Sequence, residues 1–215
     1  MKPTQEVVNA VVNALQQARI QRENQIPKVE LTESQVQNCS MLLDRAELLR
    51  RLPKEAVVAE IGVDEGKFSR LINRITRPAK FHLIDIWGTD RFHDGKYEGV
   101  KSYFSEEIKR GDVVITKKLS TEAVHGFPNN YFDWIYIDTD HMYETTRDEL
   151  TLFAAKMKPG GIIAGHDYVK GNWISSLRYG VVEAVHEFCV NHGWELIYVT
   201  AEPIEGNSFA IRKLD

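Results

Sequence analysis

One stretch, Val57–Ser69, constrains the fold more than any other. It reads VVAEIGVDEGKFS. An apolar run (Val57, Val58, Ala59) ends in Glu60, a loop carrying Gly62 and Gly66 follows, and a helical pattern begins at Lys67. Strand, glycine turn and helix in that order open a βαβ unit, because parallel strands need a crossover that a helix supplies. The chain then repeats the alternation. Strands are expected at Ala56–Ile61, Lys80–Ile86, Asp112–Lys117, Phe132–Asp138, Gly161–Gly165, Glu195–Thr200 and Ser208–Arg212. Helices are expected at Gly66–Ile75, Tyr97–Arg110, Thr121–Val124, Tyr143–Lys156 and Tyr179–His192. Such a pattern predicts an α/β fold, a mostly parallel sheet covered on both faces. No helix separates the last two strands, so the turn region Pro203–Asn207 predicts an antiparallel hairpin.

Two helical patterns precede this unit. Val7, Val8, Val11, Val12, Leu15 and Ala18 recur at helical spacing over residues 4–20, with Thr4 as a cap. Residues 21–31 read as a polar connection. A second helix is expected from Thr32, where Thr32 and Gln35 form a capping box, to Pro53, with Val36, Met41, Leu42, Leu48 and Leu49 on its apolar face. The chain thus divides into a helical extension, 1–52, serving as a lid or dimer arm, and a main domain, 53–215.

Composition narrows the function. The 215 residues carry a net charge of −4, which disfavours a nucleic-acid or membrane-surface binder, since those display basic stripes. Cys39 and Cys189 have neither metal-ligand nor disulfide-framework spacing and read as reduced thiols. No apolar run approaches the ~20 residues of a membrane span, and the N-terminus lacks the charged-then-apolar plan of a signal peptide. A cytoplasmic location is expected.

The glycine turn bears on chemistry. In the dinucleotide fingerprint G-x-G-x-x-G, the second glycine admits a pyrophosphate. Here that position holds Asp64, which would repel a pyrophosphate and favour a cofactor with an ammonium or sulfonium group. An NAD-linked oxidoreductase is disfavoured on that ground, and there is no P-loop motif. Asp85, in FHLIDIWG, ends the next strand about twenty residues on, where an acid accepts from ribose hydroxyls. Ile86 and Trp87 follow as candidate covers for a base. The plain alternative is that Asp85 caps its own turn.

The segments AEIGVDEG, LIDIW, FDWIYIDTDHMYETTRDEL and MKPGGIIAGHDY resemble class I S-adenosylmethionine-dependent methyltransferases. More narrowly, they resemble the group of macrocin-type O-methyltransferases and cephalosporin-hydroxylase-like proteins, from about residue 44 to the C-terminus. The resemblance implies a Rossmann-like three-layer sandwich with a seven-stranded sheet whose last strand is antiparallel. It implies S-adenosylmethionine as cofactor, with Glu60, Gly62 and Gly66 at its amino-acid end, Asp85 on the ribose and Ser120 near the adenine. A cofactor-binding relative without methyl transfer carries the same motifs.

Two later strands end in Asp138-Thr139-Asp140-His141 and His166-Asp167-Tyr168. Ligands of open parallel sheets sit beyond the carboxyl ends of the strands, so Asp138, Asp140, His141, His166 and Asp167 are expected to converge. Packed carboxylates repel unless something cationic neutralises them, and a divalent metal (Mg, Mn or Ca) is one solution. Metal-dependent O-methyltransferases, by resemblance, hold it at the positions of Asp138, His166 and Asp167, although His166 departs from their acid or amide. Asp138 also borders the cofactor. Methyl transfer needs an acceptor hydroxyl stripped of its proton, with His141 the preferred base and Asp138 its catalytic neighbour. Trp87, Tyr143, Tyr168 and Trp173 are candidates for an aromatic wall facing a sugar, phenol or polyketide, while Trp134 and Trp194 read as core. A homodimer is expected from the N-terminal helices.

Overall fold

The Val57–Ile61 run becomes a central strand because its side chains are apolar on both faces, as a strand flanked by two helical layers requires. The computed structural model describes residues 3–172, 174, 176–202 and 206–214. In chain order the elements are α1 (Gln5–Gln25), α2 (Glu33–Val36), β1 (Ser40–Leu42), α3 (Arg45–Arg51), β2 (Val57–Ile61), α4 (Lys67–Thr76), β3 (Lys80–Asp85), α5 (Asp94–Tyr103) and α6 (Ser105–Arg110). There follow β4 (Val113–Lys117), α7 (Ser120–Ala123), β5 (Phe132–Ile137), α8 (Tyr143–Ala154), β6 (Met157–Gly165), a small hairpin of β7 (Gly171–Asn172) and β8 (Leu177–Arg178), α9 (Val181–His192), β9 (Trp194–Thr200) and β10 (Phe209–Lys213).

The main sheet runs β1-β9-β10-β6-β5-β2-β3-β4. All its neighbours are parallel except β10, which is antiparallel to both β6 and β9. The expected Rossmann-like sandwich with an antiparallel last strand is therefore present. Period-two alternation sorts each strand between two cores. Ala59, Ile61, Ile135 and Ile137 face α8 and α9, meeting Leu150, Phe153, Val185 and Phe188. Val58, Leu83, Trp134 and Tyr136 face the other layer, meeting Leu48 and Leu49 of α3, Ile72 of α4 and Phe104. Each such side chain contributes roughly 1.5–3 kcal/mol of burial. Trp134 and Trp194 are buried, as expected.

The N-terminal extension differs from the sequence expectation. The capping box at Thr32 and Gln35 forms, but the helix lasts only to Val36. Residues 40–42 then extend and pair in parallel with Tyr198–Thr200, adding an eighth strand to the seven expected. A new helix starts where the Asp44 side chain accepts from the Glu47 amide. The open edge of β9 outcompetes a continuous helix because it satisfies backbone groups along a strand. Met41, assigned to an apolar helix face, is 77% exposed. α1 forms with its Thr4 cap and continues to Gln25, through half of the expected connection. None of its residues is buried, and Val7, Val8, Val11, Val12 and Leu15 all face solvent. Its last turn holds it to the body: Glu23 pairs with Arg178 at 2.7 Å, and Arg22 donates to the Met142 sulfur at 3.0 Å. Among the described residues, no helix is long and apolar enough to cross a membrane.

Candidate active site

The sheet grows in opposite directions from the β2–β5 pair, so their carboxyl ends open a crevice. The glycine turn leaves β2 at that crevice, and Asp138 leaves β5. The two touch. Gly62 has φ +90°, and a Cβ on it would overlap the Asp138 carbonyl. The Asp138 amide donates to the Ile61 carbonyl at 2.7 Å. Gly62 is thus demanded first by the chain's own packing. Gly66, at φ +70°, supplies the left-handed residue that starts α4.

The acids of this turn are held by the protein itself. Glu60 is buried and accepts from the Ser69 hydroxyl of α4. Burial raises its carboxyl well above the usual range, with the Ser69 bond opposing. One oxygen of Asp85 accepts from the amides of Val63 (2.8 Å) and Asp64 (2.9 Å), and the other from Trp87 (3.0 Å). The turn-capping alternative is realised. The second oxygen carries a single amide, so it keeps acceptor capacity for a ribose hydroxyl. Asp64 adopts φ +52° and pairs with Lys96 of α5, a partner that sequence reasoning missed because Gly88–Gly99 has no periodicity to place it. Ile86 is part-exposed just beyond β3, but Trp87 is 1% exposed and donates from its ring nitrogen to the Asp64 carbonyl at 3.0 Å. Trp87 therefore braces the turn from below and does not cover a base.

Four of the five expected acid and imidazole groups do converge. His141 Nδ1 lies 3.1 Å from Asp167 Oδ2, His166 Nδ1 lies 3.4 Å from the same oxygen, and His166 Nδ1 lies 3.8 Å from Asp138 Oδ2. Ligand atoms of Asp138, His141 and Asp167 all fall within 4.8 Å of one another. Asp140 turns away: it accepts from the Met142 amide and the Thr145 hydroxyl and so caps α8. Burial raises the Asp138 carboxyl against the pull of the two imidazoles. Burial disfavours charge on His166, but its hydrogen bond to Asp167 and the Asp138 charge outweigh this and raise its pKa. Burial likewise opposes ionisation of Asp167, and the His166 bond and both imidazoles overcome it, lowering the pKa. His141 and Asp167 both sit at positive φ, +63° and +54°, a cost that only surrounding structure can hold. The Gly180 amide fixes the His141 carbonyl at 2.8 Å, and Tyr179 packs on the imidazole. Two carboxylates and an imidazole at this spacing have the donor chemistry of a divalent-cation site. His166 Nε2 faces away, buried and unpartnered.

Ser120 opens α7, beyond the carboxyl end of β4. Beside it lies Glu149 of α8, fully buried, with one oxygen accepting from the Thr139 hydroxyl at 2.9 Å and the other without a partner. Glu149 was not anticipated, yet a signal existed. Tyr143, Thr146, Leu150 and Phe153 mark the core face of α8, and an acid at 149 falls on that face. The expected aromatic wall is not built. Tyr143 is buried with its hydroxyl on Glu187, and the Tyr168 hydroxyl meets His186 at 2.6 Å. Both are committed to packing α8 and α9, and Trp173 lies outside the described residues.

A model of the methyltransferase domain family matches residues 59–168, just over half of the chain. The matched span includes the glycine turn, Asp85, the β5 acid cluster and His166–Asp167. No curated protein matches. Among solved structures, the pyocyanin biosynthetic protein PhzM is 14% identical with a TM-score of 0.59, covering 80% of this chain, which spans 55% of PhzM. A SAM-dependent methyltransferase from Aquifex aeolicus is 16% identical over 80% of this chain and 91% of its own, with a TM-score of 0.57. A protein from Corynebacterium glutamicum is 12% identical over 100% of this chain and 93% of its own, also with a TM-score of 0.57. At these identities the likeness is one of fold.

Proposed function

The chain belongs to the methyltransferase-domain family, and from that premise we propose that it transfers a methyl group from S-adenosylmethionine to a hydroxyl of a small-molecule acceptor, assisted by a divalent cation. One observation carries the reading: the glycine turn of β2 and the acid–imidazole cluster after β5 and β6 abut at the sheet's crevice, joined at Gly62 and Asp138. A cofactor laid along the turn would bring its sulfonium end to the cluster. Asp85 offers its less occupied oxygen to the ribose, and Ile86 offers apolar cover to the base. Glu60, Gly62, Asp64 and Gly66 shape the amino-acid end.

Asp138, Asp167 and His141 are the proposed cation ligands. His166 then acts from behind, holding both carboxylates through Nδ1. A bound divalent cation would lower the pKa of the acceptor hydroxyl and fix its position. A second reading, without metal, is favoured by the 3.1 Å approach of His141 Nδ1 to Asp167. A carboxylate at that atom orients an imidazole so that Nε2 takes the hydroxyl proton. In both readings residues 1–52 act as a cover or dimer arm, supported by the Glu23–Arg178 pair that ties α1 to the segment after β6.

Calorimetry with S-adenosylhomocysteine tests the cofactor, and absence of binding sinks the proposal. Transfer of labelled methyl to a panel of sugars, phenols and polyketide alcohols, with and without EDTA followed by Mg²⁺ or Mn²⁺, tests the acceptor class and separates the two readings. Activity that survives chelation removes the cation and leaves the His141–Asp167 pair.

A further inference from the structure

Glu149 is costly where it stands. A fully buried carboxyl with one unpartnered oxygen forfeits a hydrogen bond that water would have made. An apolar residue of similar size would fill the same position on α8 at no such cost. Its surroundings point to a ligand. The carboxyl is flanked by the Thr139 hydroxyl, which donates to it, and by the Ser120 hydroxyl. Ser120 follows β4 and Thr139 follows β5, so both stand at the carboxyl rim, on the side of the crevice that Ile86 borders after β3. In an open parallel sheet this rim is where a nucleoside lies. An adenine ring presents an exocyclic amino group, a donor with two hydrogens, whereas a 6-oxo purine presents an acceptor at the same place.

We infer that Glu149 is the specificity-determining residue of the cofactor's base pocket, its unpartnered oxygen accepting from the 6-amino group while its other oxygen holds Thr139. The inference rests on the crevice being the cofactor site proposed above. A 6-oxo base would set acceptor against acceptor in a dry pocket and be rejected, because a buried polar site discriminates strongly against a ligand that cannot complete it. Burial raises the Glu149 carboxyl to about 7, with the neighbouring Ser120 and Thr139 hydroxyls opposing. A donor from the ligand would favour the ionised form.

Calorimetric titration with S-adenosylhomocysteine and with its 6-oxo counterpart, S-inosylhomocysteine, reads the assignment directly. Wild-type protein is expected to prefer the amino form by about tenfold or more, the worth of one charge-assisted hydrogen bond. Glu149→Leu is expected to lose that preference. Glu149→Gln, whose amide offers both an acceptor and a donor, keeps the shape and narrows the preference. Melting of the ligand-free variants reports folding, and if Glu149→Leu does not fold, Glu149→Gln carries the test. A merely structural role would move both affinities together, so an unchanged ratio in a folded variant overturns the inference alone. A wild type that binds both forms equally also overturns it. A wild type that binds neither overturns the cofactor reading, and the inference falls with it.

Discussion

The two loops that meet at the crevice are built on opposite principles. In the glycine turn every charged group is answered by the protein: Glu60 by Ser69, Asp64 by Lys96, and Asp85 by three backbone amides. In the cluster after β5 and β6, two carboxylates and two imidazoles face one another at 3.1–3.8 Å around a single Asp167 oxygen and a single His166 nitrogen. The turn is finished without a ligand and acts as a rigid cradle. The cluster is balanced only in part, and two of its members hold left-handed backbone to stay there. A preorganised frame beside an under-neutralised one is what a reaction needs when the cofactor must be positioned and the acceptor must be activated.

Gly62→Ala should break the frame most severely, because the new Cβ meets the Asp138 carbonyl and φ is +90°. A loss of about 4 kcal/mol or more is expected, read as a collapse of the melting temperature, and near wild-type melting would show the contact to be soft. Asp85→Ala leaves three amides without their acceptor and should cost about 3 kcal/mol in denaturant melts. Glu149 gives the frame a pH signature. Its folded pKa of about 7 lies above the ordinary 4.5, so the folded state binds the extra proton between those values. Stability is therefore greatest below about pH 4.5 as far as this group is concerned, and declines as pH rises to about 7, by about 3 kcal/mol. Glu149→Gln should flatten that slope and melt higher than wild type at pH 8. An identical pH profile for the two proteins would place the titration elsewhere.

The cluster should respond in the contrary sense. Asp138→Asn relieves carboxylate crowding, so without metal its melting should differ from wild type by only about 1 kcal/mol. The stabilisation that Mn²⁺ gives wild type through linkage should vanish in the variant. A variant that Mn²⁺ still stabilises equally would remove Asp138 from the ligand set. Far from both loops, Val11→Glu in α1 should change stability by less than about 0.5 kcal/mol, because Val11 is exposed and α1 buries nothing. A larger loss would mean that the stripe is covered in solution.

Periodicity and turn chemistry made most of this legible. The seven main strands, the antiparallel closing strand and the meeting of Asp138, His141, His166 and Asp167 follow from strand–helix alternation and the rule that strand ends share a rim. What escaped depends on tertiary competition. Met41 and Leu42 fit a helical spacing but were taken by the open edge of β9. Asp140 sits in the same motif as Asp138, yet its offset into the start of α8 makes it a cap. Trp87 follows Asp85 directly, but the left-handed turn drives it into the core. Lys96 and Glu149 reach the crevice from elements whose sequence says nothing about which neighbour they will meet.

The edge strand β1 ties the order of synthesis to the order of folding. Ser40–Leu42 emerges early, yet its only strand partner is Tyr198–Thr200, nearly the whole chain later. The antiparallel strand that seats β9 in the sheet comes later still, at Phe209–Lys213. On the ribosome the extension must therefore wait with an unpaired strand and an apolar helix while the parallel core assembles behind it. Contacts of such long separation slow folding and prolong exposure. The last residues made are thus the ones that release the first residues from waiting, and a chain shortened at its C-terminus would lose order at its N-terminus.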